Sequence, residues 1–439
     1  MSAALRSFES QWRARARDAL QPIREAAMQR FLKLGLPSLR DETWRYTDLR
    51  ALAEQSFREA GCVTSGAPTP GAALSLVHGE QHAATLTMIN GCPMLHAGLP
   101  EMDGIEVDSI RGLYDRDPKR LRQFFGSATD ADQRRWVLLN TALFIDGLYL
   151  KITKPVPTPL VIRHLSTGDG AQGRDGAQAA HPRVIIEAGP GASAIIIEHH
   201  LSEGDITPLN NSNTHIELGK DAQLEHYRVY ATGAGATHLD SLDIHQSQDS
   251  RCRQFTIALG GGLVRSSLEA RLNQPGASLD SYSLLVGHQD RHVDCVNIVT
   301  HAAPNTRSRQ TARAIAGDVS RVIFNSKVIV NAGANDADSK QSCRGLLLSP
   351  NAEIDTRPQL EIHADAVKCA HGATTGRLDP DMLFYLLSRG LDRETAQSLL
   401  VYAFLADVLT GMSVSSARSA IENALISQLP DSQTLRKFR

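Results

Sequence analysis

Aromatic residues make up only 5% of this chain, and neither sign of charge dominates it: 46 Lys and Arg stand against 48 Asp and Glu, a formal net charge of −2. A protein that holds nucleic acid needs a basic surface, aromatic faces for stacked bases, or both. Nucleic acid is therefore not an expected partner. No apolar run reaches the ~20 residues that a bilayer-crossing helix requires, so no membrane span is expected. Between Met1 and Arg30 arginines recur, but Glu9, Asp18 and Glu25 interrupt them and the apolar core of a signal peptide is missing. The expected location is the cytoplasm. Six cysteines (Cys62, Cys92, Cys252, Cys295, Cys343, Cys369) contain no CxxC pair. A chain this long can bury enough core to do without disulfides, so free thiols in a reducing compartment are the expected state. Also missing are GxxxxGK[ST], HExxH, GxSxG and any Cys/His spacing for zinc. P-loop nucleotide hydrolysis and the commoner zinc and serine hydrolase mechanisms are thus not expected.

What is present divides by period into residues 1–135, 136–378 and 379–439. In the first stretch Phe8, Trp12, Ala16, Leu20, Ile23, Ala27, Phe31 and Leu34 recur at helical spacing, with an interruption near Pro22 and a stop at Gly35 before Pro37. Arg40 to Leu49 is polar but carries Trp44 and Tyr46, and Gly66 to Gly71 reads as a loop. From Leu138 the texture becomes short, β-branched runs separated by Gly, Asn, Asp and Pro. They include Ala142–Ile145, Leu148–Ile152, Val184–Glu187, Thr214–Leu218, Leu224–Tyr230, Arg321–Val330 and Leu346–Ile354. Helical period is absent for a long distance, which argues against a βαβ plan and for a mainly β architecture. A unit of turn, small residue and strand recurs at Gly191-Ala-Ser-Ala-Ile, Asp221-Ala-Gln-Leu, Gly276-Ala-Ser-Leu and Asn351-Ala-Glu-Ile. Stacked coils of a β-solenoid leave such a trace, and a β-sandwich would show similar strands. After Asp379 the helical period returns through Leu383, Leu386 and Leu387. Asp392 is placed to cap a second helix carrying Ala396, Leu399, Leu400, Ala403, Phe404 and Val408, and a third helix runs from about Ser416 to Leu429.

Several residues invite a chemical reading. Gly260-Gly-Gly262 lacks a following helix and reads as a corner rather than a phosphate cradle. His199 and His200 are adjacent on a strand, point to opposite faces and cannot share one metal easily. Cys295 and Cys343 sit in strand-like runs, where cysteine serves as a small hydrophobe. The densest polar group is Asp365, Lys368, Cys369 and His371. In an extended segment Cys369 and His371 face the same side, and a thiolate with an imidazole suits iron. Two ligands do not close a site, so others would have to come from elsewhere.

The segment that carries this group, Arg357-Pro-Gln-Leu-Glu-Ile-His-Ala-Asp-Ala-Val-Lys-Cys-Ala-His-Gly-Ala-Thr-Thr-Gly376, resembles the signature of the SufB/SufD family of iron–sulfur cluster assembly proteins, on its SufD branch. Leu347 to Asp355, Leu383-Phe-Tyr-Leu-Leu-Ser-Arg-Gly-Leu391 and Leu34-Gly-Leu-Pro-Ser-Leu-Arg-Asp-Glu-Thr-Trp-Arg-Tyr-Thr47 extend the likeness. The SufB branch would carry a cysteine after the segment that starts at Leu347 and a Glu after the motif histidine, where this chain has none and Gly372. The resemblance implies a right-handed parallel β-helix between helical N- and C-terminal domains. It implies assembly with SufB through the β-helix and with the SufC ATPase through the C-terminal helices, in the cytoplasm, which fits the missing P-loop. It implies no catalytic activity of the chain alone. It also implies that His371, with Cys369 beside it, meets iron or a nascent cluster shared with SufB, and it is compatible with a homodimer when the chain stands alone. Two positions depart from the family: His363 stands where an aromatic is usual and Ala366 where an Asp is usual. The helical stretch Leu383 to Phe404 is expected to be mostly core, with Arg389 nearer a partner.

Two other classes remain. A β-helix enzyme acting on polysaccharide could use Glu353, Asp355 and Glu361 as its acids, although few aromatics are available to stack sugars. A free-standing metal chaperone would use His371 without partners.

Overall fold

The structure is a computed structural model that describes residues 2–15, 17–62, 76, 84–95, 102–125, 134–168, 176–204 and 206–428. The loop expected at Gly66 to Gly71 and the end of the third C-terminal helix at Leu429 lie outside these residues. The strands, in chain order, are β1 (Phe57–Glu59), β2 (Ala84–Ile89), β3 (Cys92–Pro93), β4 (Ile105–Ser109), β5 (Leu148–Ile152), β6 (Leu160–Ser166), β7 (Ala177–Ala180), β8 (Arg183–Ala188), β9 (Ser193–Ser202), β10 (Leu209–Asn210) and β11 (Asn213–Leu218). They continue as β12 (Gln223–Tyr230), β13 (Thr237–Gln246), β14 (Arg251–Ala258), β15 (Leu263–Leu272), β16 (Ser278–Gly287), β17 (His292–His301), β18 (Arg307–Ala316), β19 (Arg321–Val330), β20 (Ala337–Leu347), β21 (Glu353–Ile362) and β22 (Val367–Gly376).

Two facing sheets are built from them. One runs β21-β19-β17-β15-β13-β11-β8-β5-β4, the other β22-β20-β18-β16-β14-β12-β9-β6-β2-β3. From β8 onward each coil gives one strand to each sheet, and successive coils pair parallel and in register, as in Leu263↔His292, His292↔Arg321 and Arg321↔Glu353. Parallel in-register stacking is a solenoid and removes the sandwich alternative.

The repeated turn read in the sequence has a backbone cause. Gly191, Asp221, Asp249, Gly276, Asn305 and Asp336 occupy one corner of successive coils, and all hold positive φ, from 55° to 77°. Glycine adopts this conformation freely, and Asn and Asp tolerate it better than other residues. The amides of Gly191, Asp221 and Asp249 bond to carbonyls of the next coil at Lys220, Gln248 and Pro275. The glycine triplet at Gly260 is another corner, as expected: Gly261 has φ 90°, and a Cβ on Gly262 would overlap the Ala234 carbonyl oxygen.

Inward-facing positions fill the lumen in columns. Ile186, Ile216, Ile244, Ala270, Val299 and Val328 stack on one wall, and Leu224, Cys252 and Leu279 on the other. Beside this apolar side lies a buried polar patch. Glu198 accepts hydrogen bonds from His164 Nε2 (2.9 Å), His226 Nε2 (2.8 Å) and Thr214 Oγ1 (2.9 Å), and Arg228 stands 3.5 Å away. Burial disfavours the carboxylate, but Arg228 and the two imidazoles outweigh it and hold Glu198 well below the usual range.

The outer faces are covered by helices. Ala3–Ala14, Gln21–Leu34 and Arg135–Leu143 pack against the first sheet through Phe8, Phe31, Leu139, Leu209 and Leu239. Arg393–Leu409 and Ser415–Ser427 cover the second through Val401, Leu405, Val408, Ile421 and Leu425, which meet Ile197, Phe255 and Leu284. Asp392 caps the first of these two, accepting the Thr395 amide at 2.9 Å, as its position suggested. Among the described residues no helix is long and apolar enough to cross a membrane.

Four expectations are corrected. Ala142–Ile145 is not a strand: it ends the helix Arg135–Leu143, whose residues from Trp136 to Leu143 are all buried. A helix buried all round shows no amphipathic period to read. Leu346–Ile354 is not one strand but the turn between β20 and β21, with apolar residues on both sides of it. Cys62 and Cys92 are not free thiols but a disulfide with Cα atoms 5.6 Å apart; strand β3 brings together residues that no sequence spacing links. The stretch Leu383 to Phe404 is not mostly core either. The helix Pro380–Ser388 has no buried residue, and Ala403 is exposed.

Candidate functional site at the open end of the solenoid

A solenoid coil buries its inward face only if another coil follows it. Among the described residues nothing continues either sheet beyond β21 and β22, so each presents one unpaired edge. Every residue of β21 and β22 is exposed or half-buried, in contrast to the strands beneath. This open end is where the sequence-derived site falls.

Register places its residues. Cys369 stacks above Ser339, and His371 above Gln341. Both supporting side chains are buried in the lumen, so Cys369 and His371 continue lumen-facing columns onto the uncovered coil. The alternation of a strand therefore brings these two to one face, as expected. Cys369 is half-buried and, like Val367, Leu360 and Ala364, packs against the edge of the apolar lumen core. Burial raises its thiol above the ordinary range, against an opposing backbone hydrogen bond at Ser339. A raised thiol stays protonated until a cation displaces the proton. His371 is exposed. Below it Gln341 donates to the Gln359 carbonyl at 3.4 Å and leaves its own Oε1 without a partner.

The other two members of the polar group separate from them. Lys368 has the opposite strand parity, and Asp365 lies in the turn between β21 and β22. Among the described residues three groups of His, Cys, Asp or Glu lie close enough to hold an ion, and neither Cys369 nor His371 belongs to one. The open end thus offers two donors and an uncovered face.

The acids along β21 are engaged. Glu353 and Asp355 pair with Arg321 at 3.1 and 2.8 Å, and Glu361 pairs with Lys327 at 2.5 Å and accepts from His363 Nε2 at 3.0 Å. The hydrogen bond from Lys327, then that from His363, holds Glu361 below its ordinary range. A glycosidic general acid needs the opposite shift. Cys252, Cys295 and Cys343 are buried, and burial pushes the last two up to about 12, as suits hydrophobic filler rather than reactive thiols.

A second exposed feature lies at the start of the C-terminal helices. On Pro380–Ser388 Met382, Phe384 and Tyr385 are 58%, 71% and 55% exposed, and Arg389 stands 5.0 Å over the Tyr385 ring. Scattered exposed apolar residues are ordinary, but three large ones on one short helix form a patch.

Sequence reasoning missed the histidines and acids that meet inside the early coils, among them His164, Glu198, His200, His238 and Asp240. They are spread over three strands, β6, β9 and β13, and what links them is the coil register. The available signal was polar residues at lumen parity on otherwise apolar strands.

Two family models match the chain: the SUF system FeS cluster assembly SufBD core domain over residues 170–404, and the SufBD protein N-terminal region over residues 5–162. The iron-sulfur cluster assembly protein SufD of Escherichia coli is 29% identical over 88% of this chain and 88% of its own length. An iron-sulfur cluster assembly SufBD family protein of Synechocystis is 28% identical over 92% of this chain and 89% of its own. The SufD of Bacillus subtilis is 24% identical over 69% of each.

Proposed function

This chain belongs to the SufB/SufD family of SUF-system iron–sulfur cluster assembly proteins, and from that premise we propose that it is the SufD-type subunit of a cytoplasmic complex with SufB and the SufC ATPase. In this reading the chain works as a scaffold and catalyses no reaction of its own. The uncovered coil β21–β22 pairs with the β-helix of SufB, and His371 and Cys369 lend donors to iron or a nascent cluster whose remaining ligands come from SufB. The observation that carries this is the coincidence of two soft-metal donors, in lumen register, with the end of the solenoid at which, among the described residues, no strand follows β21 or β22. The same edges allow a homodimer when SufB is absent. The helix Pro380–Ser388 is the docking surface for SufC.

The test is co-expression with SufB and SufC, as wild type and as His371→Ala, followed by anaerobic purification and iron counting. The complex is expected to assemble in both cases, and the variant to lose most of its cluster iron. A variant complex that loads iron normally makes His371 a structural residue and the chain a passive docking partner.

For SufC docking the expected result is that Phe384→Ala combined with Met382→Ala abolishes co-purification of SufC. The unfolding midpoint should move little, because neither side chain is buried. Retention of SufC by the double variant moves the docking surface elsewhere.

A further inference from the structure

The early coils enclose a polar chamber in an otherwise apolar lumen. From one sheet, β9 contributes His200, stacked between His164 (centroids 4.4 Å apart) and Tyr230 (4.9 Å). From the facing sheet, β13 contributes His238 and Asp240, which share a parity and point into the same space. All three are at most 2% exposed. His200 Nε2, His238 Nδ1 and Asp240 Oδ2 are all buried and have no hydrogen-bond partner. An orphaned polar atom this deep costs about 1–3 kcal/mol, and three of them converge.

The ligand atoms of this group lie within 4.8 Å of one another, and His238 Nδ1 is 3.5 Å from Asp240 Oδ2. Donors around a tetrahedral ion with bonds of ~2.0–2.1 Å stand about 3.3 Å apart. The second pair is already at that spacing, and His200 needs only a small closure. The outer bonds are also in place. His238 Nε2 is bonded to Thr232 Oγ1 at 3.1 Å, and Asp240 Oδ1 accepts the Ser212 amide at 2.9 Å, which leaves Nδ1 and Oδ2 for the chamber.

Charge points the same way. Arg228 is matched by Glu198 at 3.5 Å. Asp240 pairs with no lysine or arginine among the described residues, and its neighbour is His238. Burial holds His200 well below its ordinary value, so it presents a neutral imidazole lone pair. Arg228 adds to that depression of His200, and it stays charged itself because Tyr230, Glu198 and Asp240 outweigh its burial.

We propose that the chamber holds one divalent transition-metal ion, of the Fe2+ or Zn2+ class, through His200, His238 and Asp240. Two imidazoles and one carboxylate are the donor set that such borderline ions take, with a position left for water. The two alternatives nearby are weaker. Glu198, the carboxylate of the group His164–Glu198–His200, already accepts from two imidazoles and a hydroxyl. In His215–Glu217–His245 the Glu217 Oε1 already accepts from both rings, at 2.8 and 3.1 Å. The ion ties β9 to β13 across the lumen, three coils or more below the open end, so it is a site separate from His371.

The experiment uses the full chain, stripped with a chelator and titrated with Co2+ as the probe. The expected result is a single Co2+ per chain with visible d–d absorption, and binding weakened more than ~10-fold in His238→Ala and in Asp240→Asn. Asp240→Asn keeps the side-chain shape, so it decides the matter if His238→Ala does not fold. His371→Ala and His245→Ala are expected to bind as the wild type does, which separates this site from the open end and from the outer cluster. Wild-type affinity in Asp240→Asn, or no Co2+ bound by the wild-type chain, overturns the assignment. Loss of the ion in His245→Ala alone moves it to the outer face.

Discussion

Replacing Glu198 with alanine is expected to lower the stability of the chain by about 3–5 kcal/mol, the cost of breaking a buried ion pair from one side. Glu198 is completely buried, and its two oxygens gather His164, His226, Thr214 and Arg228 from three further coil positions. With the carboxylate gone, Arg228 remains in the lumen with no facing anion within ion-pair distance, and the two imidazoles and the Thr214 hydroxyl lose their acceptor. Each loss has the same sign, and Glu198, His226, Thr214 and Arg228 are all completely buried, so the lost bonds are not replaced at the protein surface. Glu198→Gln keeps an acceptor for the rings but not the charge, and is expected to fall between the two. Denaturant midpoints of the three proteins at neutral pH measure this. A loss below ~1 kcal/mol in Glu198→Ala would show that the patch relaxes or is solvated, contrary to the packing described.

The second large effect is a loss of stability in mild acid. Burial depresses His181 and His199 to about 3 and His301 to about 4, and holds His200 well below its ordinary 6.5. The unfolded chain takes up protons at these residues near 6.5, while the folded chain does not. Protons bound by the unfolded state exceed those bound by the folded one throughout this window, so stability falls as pH falls. The contribution is fully present above 6.5 and drains away toward 3–4. At pH 5 each such histidine subtracts about 2 kcal/mol relative to neutral pH. Glu198 and Glu217 act in a lower window with the same direction. Their folded values are depressed, Glu217 to about 2, so their stabilisation is present above 4.5 and is lost below it. The denaturant midpoint is therefore expected to drop steeply between pH 6.5 and 5, by several kcal/mol in total. His301→Gln, which keeps polar contact with Thr306 and Ser308 (each 2.8 Å from the ring), should flatten part of that slope. A midpoint that does not move between pH 7 and pH 5 sinks the reading of these rings as buried and neutral.

Much of the fold could be read from the residues themselves. Runs such as Leu148–Ile152 and Arg321–Val330 became strands with the same limits, because β-branched residues on a buried sheet leave little doubt about the local state. The corner glycines and Asn or Asp residues were legible because a positive φ restricts which residues can stand there. Strands β13, β15, β18 and β20 were not legible. Thr237–Gln246, Leu263–Leu272, Arg307–Ala316 and Ala337–Leu347 carry polar residues such as His, Asp, Glu, Arg, Gln, Ser and Lys on one or both faces. They are strands because coils on either side supply their hydrogen bonds, a condition that exists only in the stack. The site divides the same way. The shared face of Cys369 and His371 follows from strand parity, and so does the separation of His199 from His200.

What the sequence determined by itself is local: which segments bend, which extend, which two donors share a face, and which family motif surrounds them. What only the tertiary structure decided is which residues meet across coils. His200 and Asp240 are forty positions apart and come into one chamber because two strands on opposite sheets face the same lumen. Cys62 finds Cys92, Glu198 finds Arg228, and β22 is left as the last coil, all for the same reason. Backbone conformation is set by steric and hydrogen-bonding preferences within a few residues, and these are written in order along the chain. Contacts between coils depend on the cumulative register of every turn before them, a sum that no single stretch of sequence contains.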